Sequence, residues 1–408
     1  MKIFTGKVNW LGWLLVGAMG LILHGGALAQ QIIFGTGQDG SSYEIAMPAQ
    51  WNGKLVVYAH GIDDPQEPLV VPSQDSDFGP FRDGMTTRGY AVASSSWSST
   101  GYAVKDGAQR THQLTGIFKS QFGNATQTIL IGKSLGGLVV VKLAEQYPSQ
   151  YVGVLSMCGT IGGGSATIAY LADERAVFDY FFPGALPGDV FHTPLLPFPF
   201  DPPGSQNPST AFLSVYGSLL SGLAPDSDPR FSYRTLQFAR AAHLQVDAAS
   251  PAFIPEVFQA AFEGLGFSIR FDQDVLSRTH GGIPYDNAQI TYSGSFDDAA
   301  LNQGIEHFVS DPNAVNFVQK YYDPTGQLKI PMLSIHTAID PTAPFFNEQL
   351  YAEAVSKAGA SDLLVQQTVN RFDHCSFQLQ EKLNAFDALA AWVADRSKKP
   401  AAGDVTLP

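Results

Sequence analysis

Gly132-Lys133-Ser134-Leu135-Gly136 places a serine between an apolar run, Thr128-Ile129-Leu130-Ile131, and a helical pattern that opens Gly137-Leu138-Val139-Val140. A strand that turns at once into a helix leaves no room for side chains beside the turn, so glycine on both flanks is what the geometry asks for. The turn holds the Ser134 hydroxyl away from the chain, at the N-terminus of a helix. There the backbone N–H of Leu135 can help hold an oxyanion. The five residues alone also fit an ordinary glycine turn. The strand before them and the helix after them favour nucleophilic chemistry.

A nucleophilic serine needs a base, a carboxylate to orient the base, and a second oxyanion donor. His374 lies in Arg371-Phe372-Asp373-His374-Cys375, after a strand-like Leu363-Leu364-Val365 and before an amphipathic stretch over 378–393. The other reading of His374 is a surface-loop histidine. Pro331-Met332-Leu333-Ser334-Ile335-His336 reads as a buried strand, and Asp340 sits four residues past it and 34 before His374. Asp340-Pro341 also fits a helix N-cap followed by proline at the first helical position, and both roles are compatible. Lys54-Leu55-Val56-Val57-Tyr58-Ala59 is a strand that ends in His60-Gly61-Ile62-Asp63.

These signals, with Ala91-Val92-Ala93-Ser94-Ser95-Ser96, Cys158-Gly159 and His374-Cys375, give a chain that resembles the α/β-hydrolase superfamily over roughly residues 33–396. It resembles the esterase and prolyl-oligopeptidase-like branch in particular, and within it a set of bacterial exported hydrolases. The resemblance implies a mostly parallel sheet flanked by helices, with a largely helical cap inserted between the sixth and seventh strands. It implies the order serine, acid, histidine, hence Ser134 as nucleophile, Asp340 as acid and His374 as general base. It also implies an oxyanion hole made by the N–H of Leu135 and that of Gly61 or Ile62, with His60 in a structural role beneath. Asp373 adjoins His374, and its side chain is expected to diverge from the ring. His24, His112, His192, His243, His280, His307 and His336 fall outside the expected place of the base.

The chain has two cysteines, Cys158 and Cys375. An even count in an oxidising compartment favours pairing, against two buried free thiols. The pair resembles the disulfide beside the triad of tannases and feruloyl esterases. In those enzymes the partner cysteine directly precedes the serine, a place that Lys133 holds here.

Lys2 and Lys7, an uncharged run over 10–23 and Ala27-Leu28-Ala29 read as a secretory signal over residues 1–29. The apolar run is short for a membrane span of roughly 20 residues, so no stable membrane association is expected after cleavage, and the location is secreted or periplasmic. The formal net charge is −13, and −15 without residues 1–29. Such a surface repels nucleic acid and anionic membranes. The sequence carries no dinucleotide fingerprint, Walker loop or zinc spacing, so no cofactor and no metal are expected. Asp63-Asp64 and Asp75-Ser76-Asp77 read as solvated loop acids.

Strands alternate with helices from residue 30 to 159 and again from 328 to 398, as in a parallel sheet with crossovers. Helical stretches are expected at 81–88 and 104–122. Residues 160–327 break the alternation and form the expected cap. It opens on a proline- and aromatic-rich stretch, Phe181-Phe182-Pro183 through Pro197-Phe198-Pro199-Phe200, and continues with helical patterns near 211–223, 233–244 and 255–265. The aromatic stretch reads either as a packed surface loop or as a roof over an apolar pocket. Residues 399–408 read as a frayed tail. The expected function is an exported serine hydrolase that cleaves carboxylic esters of small molecules or polymers through an acyl-enzyme. The alternatives are a serine peptidase or amidase of the prolyl-oligopeptidase-like branch, and a binding protein of the same fold without turnover.

Overall fold

The computed structural model describes residues 30–74, 77–194 and 210–407. The expected signal over 1–29 and the 195–200 part of the aromatic stretch lie outside them. The strands are β1 (Gln31–Thr36), β2 (Ser42–Met47), β3 (Lys54–Ala59), β4 (Ala91–Ser95), β5 (Gln127–Lys133), β6 (Gly153–Met157), β7 (Met332–Ile339), β8 (Leu364–Phe372) and β9 (Gly403–Asp404). Among the described residues they form one sheet in the order β1-β2-β4-β3-β5-β6-β7-β8-β9. β1 and β2 join antiparallel at one edge, and every pairing from β4 to β9 is parallel. The central strands β3 to β7 are apolar nearly throughout, as strands covered on both faces must be.

The helices are α1 (Phe78–Thr87), α2 (Val104–Phe122), α3 (Leu135–Gln146), α4 (Gly164–Phe181), α5 (Thr210–Ser221), α6 (Arg234–Ala241), α7 (Phe253–Arg278), α8 (Asp298–Gly304), α9 (Pro312–Tyr322), α10 (Phe346–Lys357) and α11 (Leu379–Ala394). Val57, Leu130 and Val154 face the layer that holds α2 and α3. Their neighbours Val56, Ile129 and Leu155 face α1 and α11 on the other side. The alternation follows from the two-residue period of a strand. α3 is buried on nearly every side, which matches its Leu-Val-Val-Val composition.

Helices α4 to α9 fill the chain between β6 and β7. Several features of this insert escape a reading of the sequence, α8 and α9 among them. α4 begins within Gly162-Gly163-Gly164, which reads as loop, and α7 continues 13 residues past Leu265 through Gly266. Gly264, inside α7, is a demand of packing rather than a stop, since a Cβ there would run into the Glu174 carboxylate of α4. The expected frayed tail is also corrected. Gly403–Asp404 pairs with β8, and the Leu407 N–H donates to Glu381 at 2.9 Å. Phe181 and Phe182 are buried, Phe182 packed on Phe178 and Phe238 and Phe181 edge-on to Tyr180.

Glu174 is fully buried, and its carboxylate has no hydrogen-bond partner among the described residues. Burial, reinforced by the charge of Glu263, pushes its carboxyl well above the ordinary value. The folded protein therefore binds more protons than the unfolded chain between the ordinary carboxylate pKa and the raised one, and stability falls as pH rises through that window. Glu174→Gln removes the charge and keeps the shape. Thermal denaturation should show the variant matching the parent near pH 4 and gaining on it as pH rises, by about 1–3 kcal/mol at pH 8. Parallel stability curves for the two proteins would show that Glu174 carries no such penalty.

Candidate active site

Ser134 stands between β5 and α3 with φ 56° and ψ −125°, a conformation that side chains rarely adopt. Two close backbone approaches hold it there. A Cβ on Gly136 would strike the Ala59 and His60 carbonyls, and one on Gly132 would strike Gly136. The Ser134 N–H donates to the Met157 carbonyl at 2.9 Å, tying the turn to the end of β6. The serine is nearly buried at 8% exposure, so its hydroxyl meets a site rather than open solvent.

The His374 ring bridges the serine and an acid. Its Nε2 lies 2.9 Å from Ser134 Oγ, and its Nδ1 lies 2.8 Å from Asp340 Oδ2 and 3.0 Å from Oδ1. Asp340 follows β7 directly and is fully buried. It caps a turn, accepting the Thr342 N–H at 3.0 Å and the Ala343 N–H at 2.8 Å, and is not the N-cap of α10. Burial alone would raise its carboxyl. The charge and hydrogen bond of His374, the nearby His336 and the Ala343 N–H outweigh burial and hold the carboxyl below its ordinary value. An ionised, fixed acceptor of this kind selects the tautomer with hydrogen on Nδ1 and leaves Nε2 free to accept the serine proton. Asp373 points elsewhere and accepts the backbone N–H of His374 at 2.8 Å.

Gly61 packs against the serine, where an added Cβ would lie 3.3 Å from Ser134 Cβ. Ile62 lines the recesses on either side of Ser134. The loop after β3 and the N-terminus of α3 thus face each other across the hydroxyl. His60 is buried beneath them, its ring 4.0 Å from that of Trp97 and its Nδ1 2.7 Å from the Gly61 carbonyl.

Cys158 and Cys375 lie at disulfide distance, with Cα atoms 5.3 Å apart. Cys375 Sγ is also 3.4 Å from His374 Nε2. Both neighbours of His374 have positive φ, 96° at Asp373 and 54° at Cys375, and Cys158 has φ 45°. Such residues cost roughly 1–3 kcal/mol each and persist where the surroundings over-determine them. Cys158, His374 and Cys375 would also be close enough to share a metal. With the sulfurs paired and the ring nitrogens held by Asp340 and Ser134, the group lacks free donors for one.

Two recesses border the serine, and a third hollow adjoins them. A recess of about 50 Å³ is walled by Leu135, Ile168 and Thr342, and one of about 260 Å³ by Lys133, Val70 and His374. A cleft of about 930 Å³ opens between α5 and α7, where Phe212 stacks on Phe262 at 4.5 Å. Ile62 and Phe267 border all three. The acids expected to be solvated are paired instead: Asp64 with Arg270, and Asp77 with Lys382 and with Lys133 at 2.9 Å. Burial brings the partners together, and each charge needs its counter-charge there. Asp75 and Ser76 lie outside the described residues.

The sequence reading set His336 aside, yet it lies fully buried with Nε2 3.5 Å from Asp340. Burial would lower its pKa. The hydrogen bond and charge of Glu348, with the charge of Asp340 and the Ala343 carbonyl, raise it instead. Glu348 and His336 belong to different elements, so spacing in the sequence could not join them. Gln259 and Glu263 of α7 were missed for the same reason.

The esterase family model matches residues 37–175. A search of curated proteins finds no significant match to the chain. Among solved structures, the chain is similar to Est1E from Butyrivibrio proteoclasticus, at 11% identity over 89% of this chain and 98% of that one, with a TM-score of 0.40. It is similar to an esterase from Pyrococcus furiosus, at 11% identity over 94% and 96%, with a TM-score of 0.44. It is also similar to an acylaminoacyl peptidase from Pyrococcus horikoshii, at 10% identity and a TM-score of 0.42, where the match covers 93% of this chain and 43% of that longer one. The esterase match, residues 37–175, spans strands β2 to β6 and the strained strand-to-helix turn that carries Ser134.

Proposed function

We propose that the chain is an exported serine hydrolase that cleaves carboxylic esters. The observation that carries this reading is the unbroken hydrogen-bonded line from Asp340 through His374 to Ser134, ending on a strained turn. Ser134 Oγ attacks the acyl carbonyl as His374 Nε2 takes its proton. Asp340 holds the imidazolium that forms. The N–H of Leu135 and that of Gly61 or Ile62 bind the developing oxyanion, and preorganised donors of this kind need no rearrangement as charge develops. His374 then protonates the leaving alcohol. Water, deprotonated by the same ring, releases the acid.

An ester is favoured over an amide by the surroundings. The cleft of about 930 Å³ that adjoins the serine recesses is lined mostly by apolar side chains, aromatic and aliphatic, which suits an apolar group of a small or polymeric ester. The esterase match covers the serine turn and the loop after β3. Export is supported by the N-terminal pattern of lysines, apolar run and Ala-Leu-Ala, and by the cysteine pair. Among the described residues no helix is long and apolar enough to cross a membrane.

A fluorophosphonate probe should label the protein at Ser134, and Ser134→Ala should abolish labelling and nearly all hydrolysis of p-nitrophenyl esters. Labelling that survives Ser134→Ala would sink the assignment. A panel that sets p-nitrophenyl and feruloyl esters against aminoacyl anilides should show turnover of the esters, and anilides cleaved faster would transfer the chain to the peptidases.

The cysteine pair gives a second expectation. Mass spectrometry of the unreduced protein should find no free thiol. Closing a loop of 217 residues contributes roughly 5.4 kcal/mol in the chain-entropy model. The local effect on the His374 loop is sharper, so under increasing reductant activity should fall before the melting transition moves. Full activity in strong reductant would remove the bond from the catalytic account.

A further inference from the structure

We propose that Gln259 and Glu263, on cap helix α7, are positioning residues that lock the acid loop and the base loop of the triad to each other. The inference rests on the reading of Ser134, His374 and Asp340 as a triad. Its basis is a closed ring of hydrogen bonds. Asp340 Oδ1 accepts the Thr342 N–H at 3.0 Å. The Thr342 hydroxyl donates to Glu263 Oε2. Glu263 Oε1 accepts from Gln259 Nε2 at 2.9 Å, and the same Nε2 donates to Asp373 Oδ1 at 2.9 Å. Asp373 Oδ1 accepts the His374 N–H at 2.8 Å, and the His374 ring closes the circuit on Asp340.

Each part of the ring has a reason to be the residue it is. An amide nitrogen carries two protons, and Gln259 uses them on two carboxylates that would otherwise repel each other. Glu263 follows Gln259 by four residues, so the two side chains lie on one face of α7. That face points at the loops after β7 and β8, whose ends carry Asp340 and His374. Asp373 holds a positive φ beside the base, a conformation that needs an external tie. Among the described residues, the two loops are joined besides by the His374–Asp340 contact and by the Asp373 N–H, which donates to the Ile339 carbonyl at 3.0 Å, and only the α7 bridge ties the Thr342 turn to Asp373 from outside. Gln259 and Glu263 also line the large aromatic cleft, so the bridge lies where a bound substrate would press on it.

The test is a double-mutant cycle on the full chain with p-nitrophenyl butyrate, supported by fluorophosphonate labelling rates. Gln259→Leu removes the amide bridge at similar volume. Thr342→Val removes the hydroxyl link but keeps the N–H to Asp340, and Thr342→Ser restores the hydroxyl. Gln259→Leu and Thr342→Val should each lower kcat and the labelling rate by about tenfold to a hundredfold, with KM moving less than about threefold. The double variant should be no slower than the worse single one, because both break the same circuit. Thr342→Ser should recover most of the rate. The low-field proton signal of the His374–Asp340 hydrogen bond should shift or broaden in both singles and return in Thr342→Ser. Single variants with parental kcat and labelling, or losses that multiply in the double variant, would overturn the ring as a unit. Should Gln259→Leu fail to fold, the Thr342→Val and Thr342→Ser pair decides, since equal rates in those two would also overturn it. Activity that survives Ser134→Ala would instead defeat the triad reading, whatever the ring variants do.

Discussion

The demand that shapes this molecule is that a histidine after β8 must touch a serine after β5. In the sheet order those strands are three places apart, with β6 and β7 between them. Neighbouring strands lie about 4.8 Å apart, so the base has to reach back about 14 Å across two strand ends. A free loop spanning that distance would sample many positions. Here it is fixed at each strand it crosses. Over β7 the His374 ring meets Asp340, and over β6 Cys375 meets Cys158. Over β5 it meets the serine itself. The positive φ values at Asp373 and Cys375 are the backbone cost of that path.

The helical insert takes part in the same task. Along α7, Gln259, Glu263, Arg270, Asp274 and Arg278 recur at steps of four, seven, four and four, one side of a helix. They bond in turn to Asp373, Thr342, Asp64, Tyr102 and the Ser99–Thr100 turn. Each of those partners lies in a loop at the same end of the sheet. α7 is therefore a strut laid across these loops, and Phe258 and Phe262, next to Gln259 and Glu263 on the helix, border the same cleft as they do. One element thus both borders the cleft and bonds to the loops that carry Asp340 and His374.

What the sequence shows and what it hides divide along a physical line. Ser134, Asp340 and His374 are legible because each sits at the end of a strand whose apolar pattern is local, followed by a turn with its own chemistry. The pairing of Gln259 with Asp373, or Asp64 with Arg270, is a property of packing between elements far apart in the chain. Composition at those positions is ordinary for an exposed helix or loop. Gly264 is the instructive case. In sequence it weakens a helix, and in the structure it is the residue that lets α7 lie against the Glu174 carboxylate. The short β9 edge was hidden for a related reason, since Gly403–Asp404 has no strand propensity and pairs only because β8 is there to receive it.

The electrostatics of the centre follow from the same crowding. Asp340, Glu263 and Asp373 all approach His374, and Glu174 lies behind Glu263. In the proposed mechanism the ionised Asp340 at Nδ1 stabilises the imidazolium that forms when Ser134 gives up its proton. Crowded carboxylates also repel one another, and burial together with Asp373 lifts Glu263 above its ordinary value even though Thr342 and Gln259 donate to it. Hydrogen-bond donors from a cap helix and from a turn are thus what allow several acids to sit round one imidazole. Gln259, which donates to both Glu263 and Asp373, is one of those donors.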